Sequence, residues 1–277
     1  MDVTVAKHAG FCFGVHRAID MAFKALEKTK GPIFSLGPII HNPQVVQKMQ
    51  DMGLKVVSDI REIPEGTVIF RSHGVNAEER EEATKRRLLV VDATCPFVEK
   101  AHEYVRILDE QAYQIVVVGD PNHPEVLSIL SYTRGKGVAV PSIEILDTVK
   151  LSQRVGIVSQ TTQSFKTFQT ITTEIIRRSR EVLIFNTICD ATKIRQEESI
   201  RLAGQSDCMI VIGGRNSANT RRLTELCSQV QPCTYHIETV DELKDKSFDG
   251  VKKVGVTAGA STPQWLIDPV VDYLKSL

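Results

Sequence analysis

Three cysteines each close an apolar run: Cys12 follows VTVAKHAGF, Cys95 follows LLVVDAT and Cys189 follows VLIFNTI. They lie 83 and 94 residues apart, and another 100 residues lead from Cys189 through the C-terminus and back to Cys12. Three comparable intervals around a closed circuit predict three like modules, each delivering one thiol to a common centre. The apolar runs are short, rich in Val and Ile, and separated by helical patterns. That alternation predicts α/β modules with mainly parallel sheets. After Cys12, residues Val15, Ala18, Ile19, Ala22 and Leu26 recur at the spacing of one helix face. Each cysteine is therefore expected at a strand-to-helix turn, where backbone N–H groups and the helix dipole favour a thiolate.

The repeat extends past the cysteines. A strand, a Gly-containing turn and a polar group opening a helix follow in each module: IFSLGPIIHNP with His41, IVVVGDPNHPE with His123, and MIVIGGRNSAN with Ser217 and Asn219. These tips stand 29, 28 and 28 residues beyond their cysteines. A third polar tip completes each set: TVIFRSHG with His73, VGIVSQTT with Thr161, and VGVTAGAS with Ser261. The first two modules offer four strand-like runs each. The third offers three, near 208–212, 233–237 and 253–256, so its fourth strand is expected to be Val3–Lys7 from the N-terminus. The resulting boundaries are 13–95, 96–189, and 1–12 with 190–277.

Asn42-Pro43, Pro124 and Ser217 are good helix-start residues, and Glu125 in a first helical turn would offset the dipole. Taken singly, each tip is explained by capping. Taken together, inward helix N-termini carrying His and hydroxyl donors make an anion site that suits phosphate or diphosphate. Charge-assisted bonds contribute roughly 1.5–3 kcal/mol each, so five or six hold a small diphosphate without a lysine cluster. The chain has no GxxxxGK[ST], GxGxxG or HExxH pattern, which argues against P-loop, dinucleotide and zincin chemistry.

Composition narrows the classes further. Zero formal net charge argues against a nucleic-acid surface. No apolar run approaches membrane-spanning length, and the N-terminus lacks the pattern of a secretory leader. Six cysteines in such a chain read as reduced thiols or metal ligands in the cytoplasm. Cys208 is expected in the core, Cys227 on a helix and Cys233 at a strand start, none of them a ligand. His8 and His16 are expected near the Cys12 centre, and His102 and His236 at surface or packing positions. Three thiolates meeting at a point suit an iron–sulfur cluster with one open iron.

With these motifs in place the chain resembles the 4-hydroxy-3-methylbut-2-enyl diphosphate reductase family across nearly its whole length. The likeness rests on AGFCFGV, GPIIHNP, RSHGV, DATCP, NHPEV, SQTT, Cys189 followed by DAT, RNSAN and TAGAS, in that order. It implies a pseudo-threefold trefoil of three α/β modules around a [4Fe–4S] cluster held by Cys12, Cys95 and Cys189. It implies that the substrate's 4-hydroxyl meets the unique iron and leaves as water with two electrons and two protons. The products would be isopentenyl and dimethylallyl diphosphates. By the same resemblance His41, His73, His123, Ser217, Asn219 and Ser261 hold the diphosphate, with Thr162 and Ala218 in the same binding turns. Glu125 supplies protons, assisted by His123, and Thr161 orients the hydroxyl and relays them. A one-electron donor such as ferredoxin or flavodoxin is implied, with no nucleic-acid or membrane partner.

The chain departs from the family pattern at two points. Ala218 replaces a frequent second serine, removing one hydrogen bond to diphosphate. Asp190 follows the third cysteine where some members carry an aromatic residue, adding a negative charge. Two other functions use the same thiols: a non-redox hydro-lyase, and an iron–sulfur or zinc sensor without turnover. A stoichiometric demand for reduced viologen separates the first from a reductase. The sensor leaves Glu125 and the triple donor set without a purpose.

Overall fold

The computed structural model describes residues 1–277. The chain begins with β1 (Asp2–Val5), α1 (Phe13–Lys28), β2 (Ile33–Leu36), α2 (Pro43–Asp51), β3 (Leu54–Val57), β4 (Thr67–Phe70), α3 (Ala77–Lys85) and β5 (Leu89–Asp92). It continues through α4 (Pro96–Glu110), β6 (Gln114–Val118), α5 (Pro124–Ser131), β7 (Gly137–Ala139), α6 (Ile143–Leu146), β8 (Arg154–Ser159), α7 (Phe165–Arg178) and β9 (Glu181–Ile184). The last third holds α8 (Asp190–Ala203), β10 (Cys208–Ile212), α9 (Ala218–Val230), β11 (Thr234–Ile237), β12 (Lys253–Ala258) and α10 (Gln264–Ser276).

These strands form three four-stranded sheets, parallel throughout. The first sheet runs β3-β2-β4-β5, the second β7-β6-β8-β9, and the third β11-β10-β12-β1. The order is the same in all three once β1 takes the place that β5 and β9 occupy. In each sheet the two inner strands are almost wholly buried, as their mainly apolar sequences suit in a parallel sheet covered on both faces. The edge strand that leads to a cysteine is half exposed in every case. Each sheet packs its own apolar core: Phe34, Val68 and Phe70 in the first, Ile115, Val117 and Val158 in the second, Ile210, Val254 and Val256 in the third.

The N-terminal strand pairs with β12, Val3 opposite Val254. It stops at Val5, two residues before the expected end at Lys7. The reason is local: the N–H groups of Lys7 and His8 turn to the carboxylate of Glu198, at 2.7 and 2.9 Å, and leave the ladder.

The chain packs into two compact units. One comprises Met1–His16, His41–Val46 and Asp190–Leu277 and contains the third sheet; the other comprises Arg17–Ile40 and Gln47–Cys189 and contains the first two. The short segment His41–Val46, inside the 13–95 span, is thus packed with the third sheet. No helix is long and apolar enough to cross a membrane.

Candidate active site

Each of the three cysteines is the residue immediately before a helix: Cys12 before α1, Cys95 before α4, Cys189 before α8. Each also donates its backbone N–H to the tip of the strand beside its own. Cys12 reaches the Ala260 carbonyl beyond β12 at 3.2 Å, Cys95 the Ser72 carbonyl beyond β4 at 3.0 Å, and Cys189 the Thr161 carbonyl beyond β8 at 3.0 Å. Those acceptors are, or directly precede, Ser261, His73 and Thr161. One repeated hydrogen bond therefore ties every thiol turn to a residue expected to handle substrate.

In the unit of the third sheet, the Cys12 loop is held from α8. Arg195, almost fully buried, donates to the carbonyls of His8 (2.9 Å) and Gly10 (2.8 Å). Three residues on, Glu198 accepts from the N–H groups of Lys7 and His8 and lies 2.9 Å from His8 Nδ1. His8 is thereby committed to Glu198, and His16, exposed, donates its backbone N–H to the Cys12 carbonyl at 2.9 Å. Gly10 has φ +96°, and a Cβ there would press on the Thr262 carbonyl, which makes glycine the fitting residue.

The same unit gathers His41, Ser217, Asn219 and Ser261 around the end of β10. Ser261 Oγ donates to the His41 carbonyl at 3.2 Å. Gly214 faces that carbonyl so closely that a Cβ would stand 2.7 Å from it. Ser217 caps α9 by accepting from Thr220 N–H (3.3 Å), and Ala218 is the first helical residue. Asn219 is buried with both amide heteroatoms lacking a hydrogen-bond partner. An orphaned amide costs about 1–3 kcal/mol, a cost that an incoming anion oxygen would remove.

The other unit carries the protonic half. His123 caps α5, its Nδ1 accepting from Glu125 N–H at 3.2 Å, so a neutral ring keeps its proton on Nε2. The rings of His73 and His123 meet edge to face at 5.6 Å between centroids. Glu125 is buried, and Thr161 grips its carboxyl twice: N–H to Oε1 at 2.6 Å and Oγ1 to Oε2 at 3.0 Å. Burial pushes the Glu125 carboxyl up to about 7, while the two Thr161 bonds hold it back from rising further. Thr162 receives a bond from Gln160 Nε2 at 3.1 Å, which fixes the SQTT turn.

None of the six cysteines is in a disulfide. Cys208 and Cys227 are sealed in the core of the third sheet, and burial pushes both thiols up, Cys227 to about 12. Both stay protonated and unsuited to metal. Cys233 lies just ahead of β11 and packs against the same core. Cys12, Cys95 and Cys189 are left as the soft donors, each immediately before a helix, and this donor set fits an iron–sulfur cluster. No group of three His, Cys, Asp or Glu stands together as a preformed metal site. The ligand set thus rests on donor chemistry and the repeated turns.

Arg195, Glu198 and Arg17 escaped the sequence patterns. Arg17 donates to the Thr94 carbonyl at 3.0 Å, steadying the turn into Cys95. Their only sequence signal is proximity to a cysteine, and charged residues on helices ordinarily face solvent.

Comparison with known proteins agrees with this site. The LytB protein family model matches residues 3–275. The 4-hydroxy-3-methylbut-2-enyl diphosphate reductase of Geobacter metallireducens is 55% identical over 277 residues, covering 100% of this chain and 98% of that protein. Its namesake from Geobacter sulfurreducens is 56% identical over 275 residues, covering 99% and 97%. Among solved structures, (E)-4-hydroxy-3-methyl-but-2-enyl diphosphate reductase, the terminal enzyme of the non-mevalonate pathway, is 46% identical with a TM-score of 0.73, covering 100% of this chain and 99% of that one. The E-1-hydroxy-2-methyl-but-2-enyl-4-diphosphate reductase from Plasmodium falciparum is 28% identical with a TM-score of 0.95, covering 99% and 88%. The chain belongs to the LytB protein family.

Proposed function

We propose that the chain is a 4-hydroxy-3-methylbut-2-enyl diphosphate reductase. It removes the 4-hydroxyl as water, using two electrons and two protons, and yields isopentenyl and dimethylallyl diphosphates. The observation that carries the reading is the buried Glu125–Thr161 pair, whose Thr161 carbonyl also receives the Cys189 N–H. A family member with these motifs needs a proton source beside its thiol turns, and this pair supplies one.

A [4Fe–4S] cluster on Cys12, Cys95 and Cys189 would supply single-electron transfer and Lewis acidity toward an oxygen ligand. The residues supply the rest. His41, His73, His123, Ser217, Asn219 and Ser261 are the proposed diphosphate ligands, with Thr162 and Ala218 in the same binding turns. Asn219 offers an amide that is otherwise unpartnered. Glu125 holds a proton at Oε2, and Thr161 Oγ1, 3.0 Å away, passes it toward the departing hydroxyl and aligns that group. With the carboxyl near 7, both of its protonation states are accessible around neutral pH. His123, proton on Nε2, donates to the diphosphate and supports Glu125 through the shared cap.

Electrons enter one at a time from a donor such as ferredoxin or flavodoxin, and the enzyme works in the cytoplasm. Each sheet with its helices is one module, bounded at 13–95, 96–189, and 1–12 with 190–277; the identical strand orders support this division.

The test is anaerobic purification with iron and sulfide analysis and electron-resonance spectra, followed by turnover with reduced viologen. The expected result is four irons per chain and two viologens oxidised per product. Cys95→Ser should lose the absorbance at roughly 400 nm where Fe–S charge transfer falls. Substrate consumed without viologen oxidation, giving a dehydrated product and neither isopentenyl nor dimethylallyl diphosphate, would replace the reductase with a hydro-lyase.

A further inference from the structure

Helix α5, which opens with His123 and Glu125, carries a second polar feature one turn further on. Ser128 is fully buried, and its Oγ lies 2.9 Å from the Val75 carbonyl and 3.0 Å from His102 Nε2. Val75 ends the RSHGV tip that presents His73. His102 is itself fully buried on α4, its ring 4.5 Å from that of Tyr132, with Nδ1 3.9 Å from Glu99 Oε2.

The proton directions follow from satisfaction of the buried groups. The Val75 carbonyl can only accept, so the Ser128 hydroxyl donates to it. Ser128 Oγ then accepts from His102, which places the imidazole proton on Nε2. The reverse tautomer would leave the Val75 carbonyl without this donor and aim Nδ1–H at a carboxylate 3.9 Å away, beyond hydrogen-bond length. Burial keeps His102 below its ordinary pKa, consistent with a neutral ring. The Ser–His–Glu order resembles a hydrolase triad, but here the hydroxyl proton is committed to a carbonyl and the serine is sealed from solvent. It is not a nucleophile.

The tip sits tightly on this pair. Gly74 has φ +81°, and a Cβ there would stand 2.8 Å from Ser128 Oγ and 2.9 Å from His102 Cε1. Two residues past the tip, a parallel contact repeats the theme: Ala77 N–H donates to Ser131 Oγ at 2.9 Å, again on α5.

We propose that Ser128 and His102 are positioning residues: the relay His102 Nε2–H to Ser128 Oγ–H to the Val75 carbonyl pins the His73 tip to the helix bearing His123 and Glu125. The pin sets the spacing of His73 and His123, so it governs diphosphate affinity more than proton transfer. This last step rests on the reading of those two histidines as diphosphate ligands.

The experiment compares Ser128→Ala, His102→Leu and His102→Gln, the last keeping a donor nitrogen where Nε2 stands. Two readouts are taken on cluster-free protein: amide exchange of residues 72–76 by mass spectrometry, and calorimetric affinity for inorganic diphosphate. The reconstituted enzymes then give KM and kcat. Ser128→Ala and His102→Leu should speed exchange in the tip about tenfold, weaken diphosphate about tenfold and raise KM with kcat within threefold. His102→Gln should restore all three to near the parent protein. Unchanged exchange in Ser128→Ala, or a His102→Gln variant as impaired as His102→Leu, overturns the pin. Tip exchange that follows the pattern while the parent protein ignores diphosphate upholds the pin and removes the ligand reading instead.

Discussion

The tips of the second and third sheets are built to one plan and do opposite work. In both, a cap residue stands five positions beyond an inner strand: His123 after β6 and Ser217 after β10. In both, a side chain two positions later is buried: Glu125 in one, Asn219 in the other. The carboxyl finds two donors on Thr161, whereas the amide has none. In the proposed function, one scaffold position is a proton store and its counterpart an anion receptor. Backbone geometry sets where a group stands, and the choice between carboxyl and amide sets what it does.

The comparison breaks most visibly at Glu125. Glu125→Gln makes the two tips chemically alike. It should cut product formation about 10²–10⁴-fold, the span of general acid–base catalysis, with substrate affinity retained. Steady-state turnover beside calorimetric binding checks this, and an active Gln variant would take the proton from elsewhere.

The same variant sharpens the comparison through stability. The folded-state carboxyl titrates near 7 and the unfolded one near 4.5, so the folded protein holds the extra proton between those values. Stability therefore falls as pH rises from 4.5 through 7, by up to about 3 kcal/mol at pH 8. A glutamine amide does not titrate in this range, so denaturant melts of Glu125→Gln should lose this slope.

Next in size is the reciprocal change. Asn219→Asp puts a carboxylate at the anion tip and should weaken diphosphate binding about 100-fold at pH 8, because like charges brought together cost several kcal/mol. Calorimetry at pH 6 and 8 tests it; equal affinity for both proteins would remove Asn219 from the anion site. The smallest effect is expected from Thr161→Val, which deletes the hydroxyl bond that lowers the Glu125 pKa. The carboxyl should titrate above its parent value, read from its infrared stretch across a pH series.

The strands and the thiol turns were open to reading because they are periodic or punctuated. Runs such as Ile115–Val118 and Cys208–Ile212 are unbroken and apolar, and each cysteine sits where a strand pattern changes to a helical one. The three thiols suggest an iron–sulfur group and the recurring tips a phosphate-type anion, but the particular substrate and the roles of Glu125 and Thr161 rest on motif likeness, since spacing alone shows only that polar groups recur. What stayed hidden are side-chain grips on backbone. Arg195 and Glu198 look like one more charged pair on α8, yet they hold the 7–10 loop and shorten β1. His102 reads as a packing residue because its partner Ser128, and the Val75 carbonyl that Ser128 reaches in turn, are distant in sequence.

The pairing of β1 with β12 also orders events on the ribosome. Asp2 aligns with Lys253, so the first strand synthesised waits for nearly the last. At 5–20 residues per second that wait is about 10–50 s, during which the first two sheets have all their strands. Cys12 cannot gain its Ala260 contact until then. A nascent chain stalled before residue 253 would leave that strand unpaired and the Cys12 turn without its anchor.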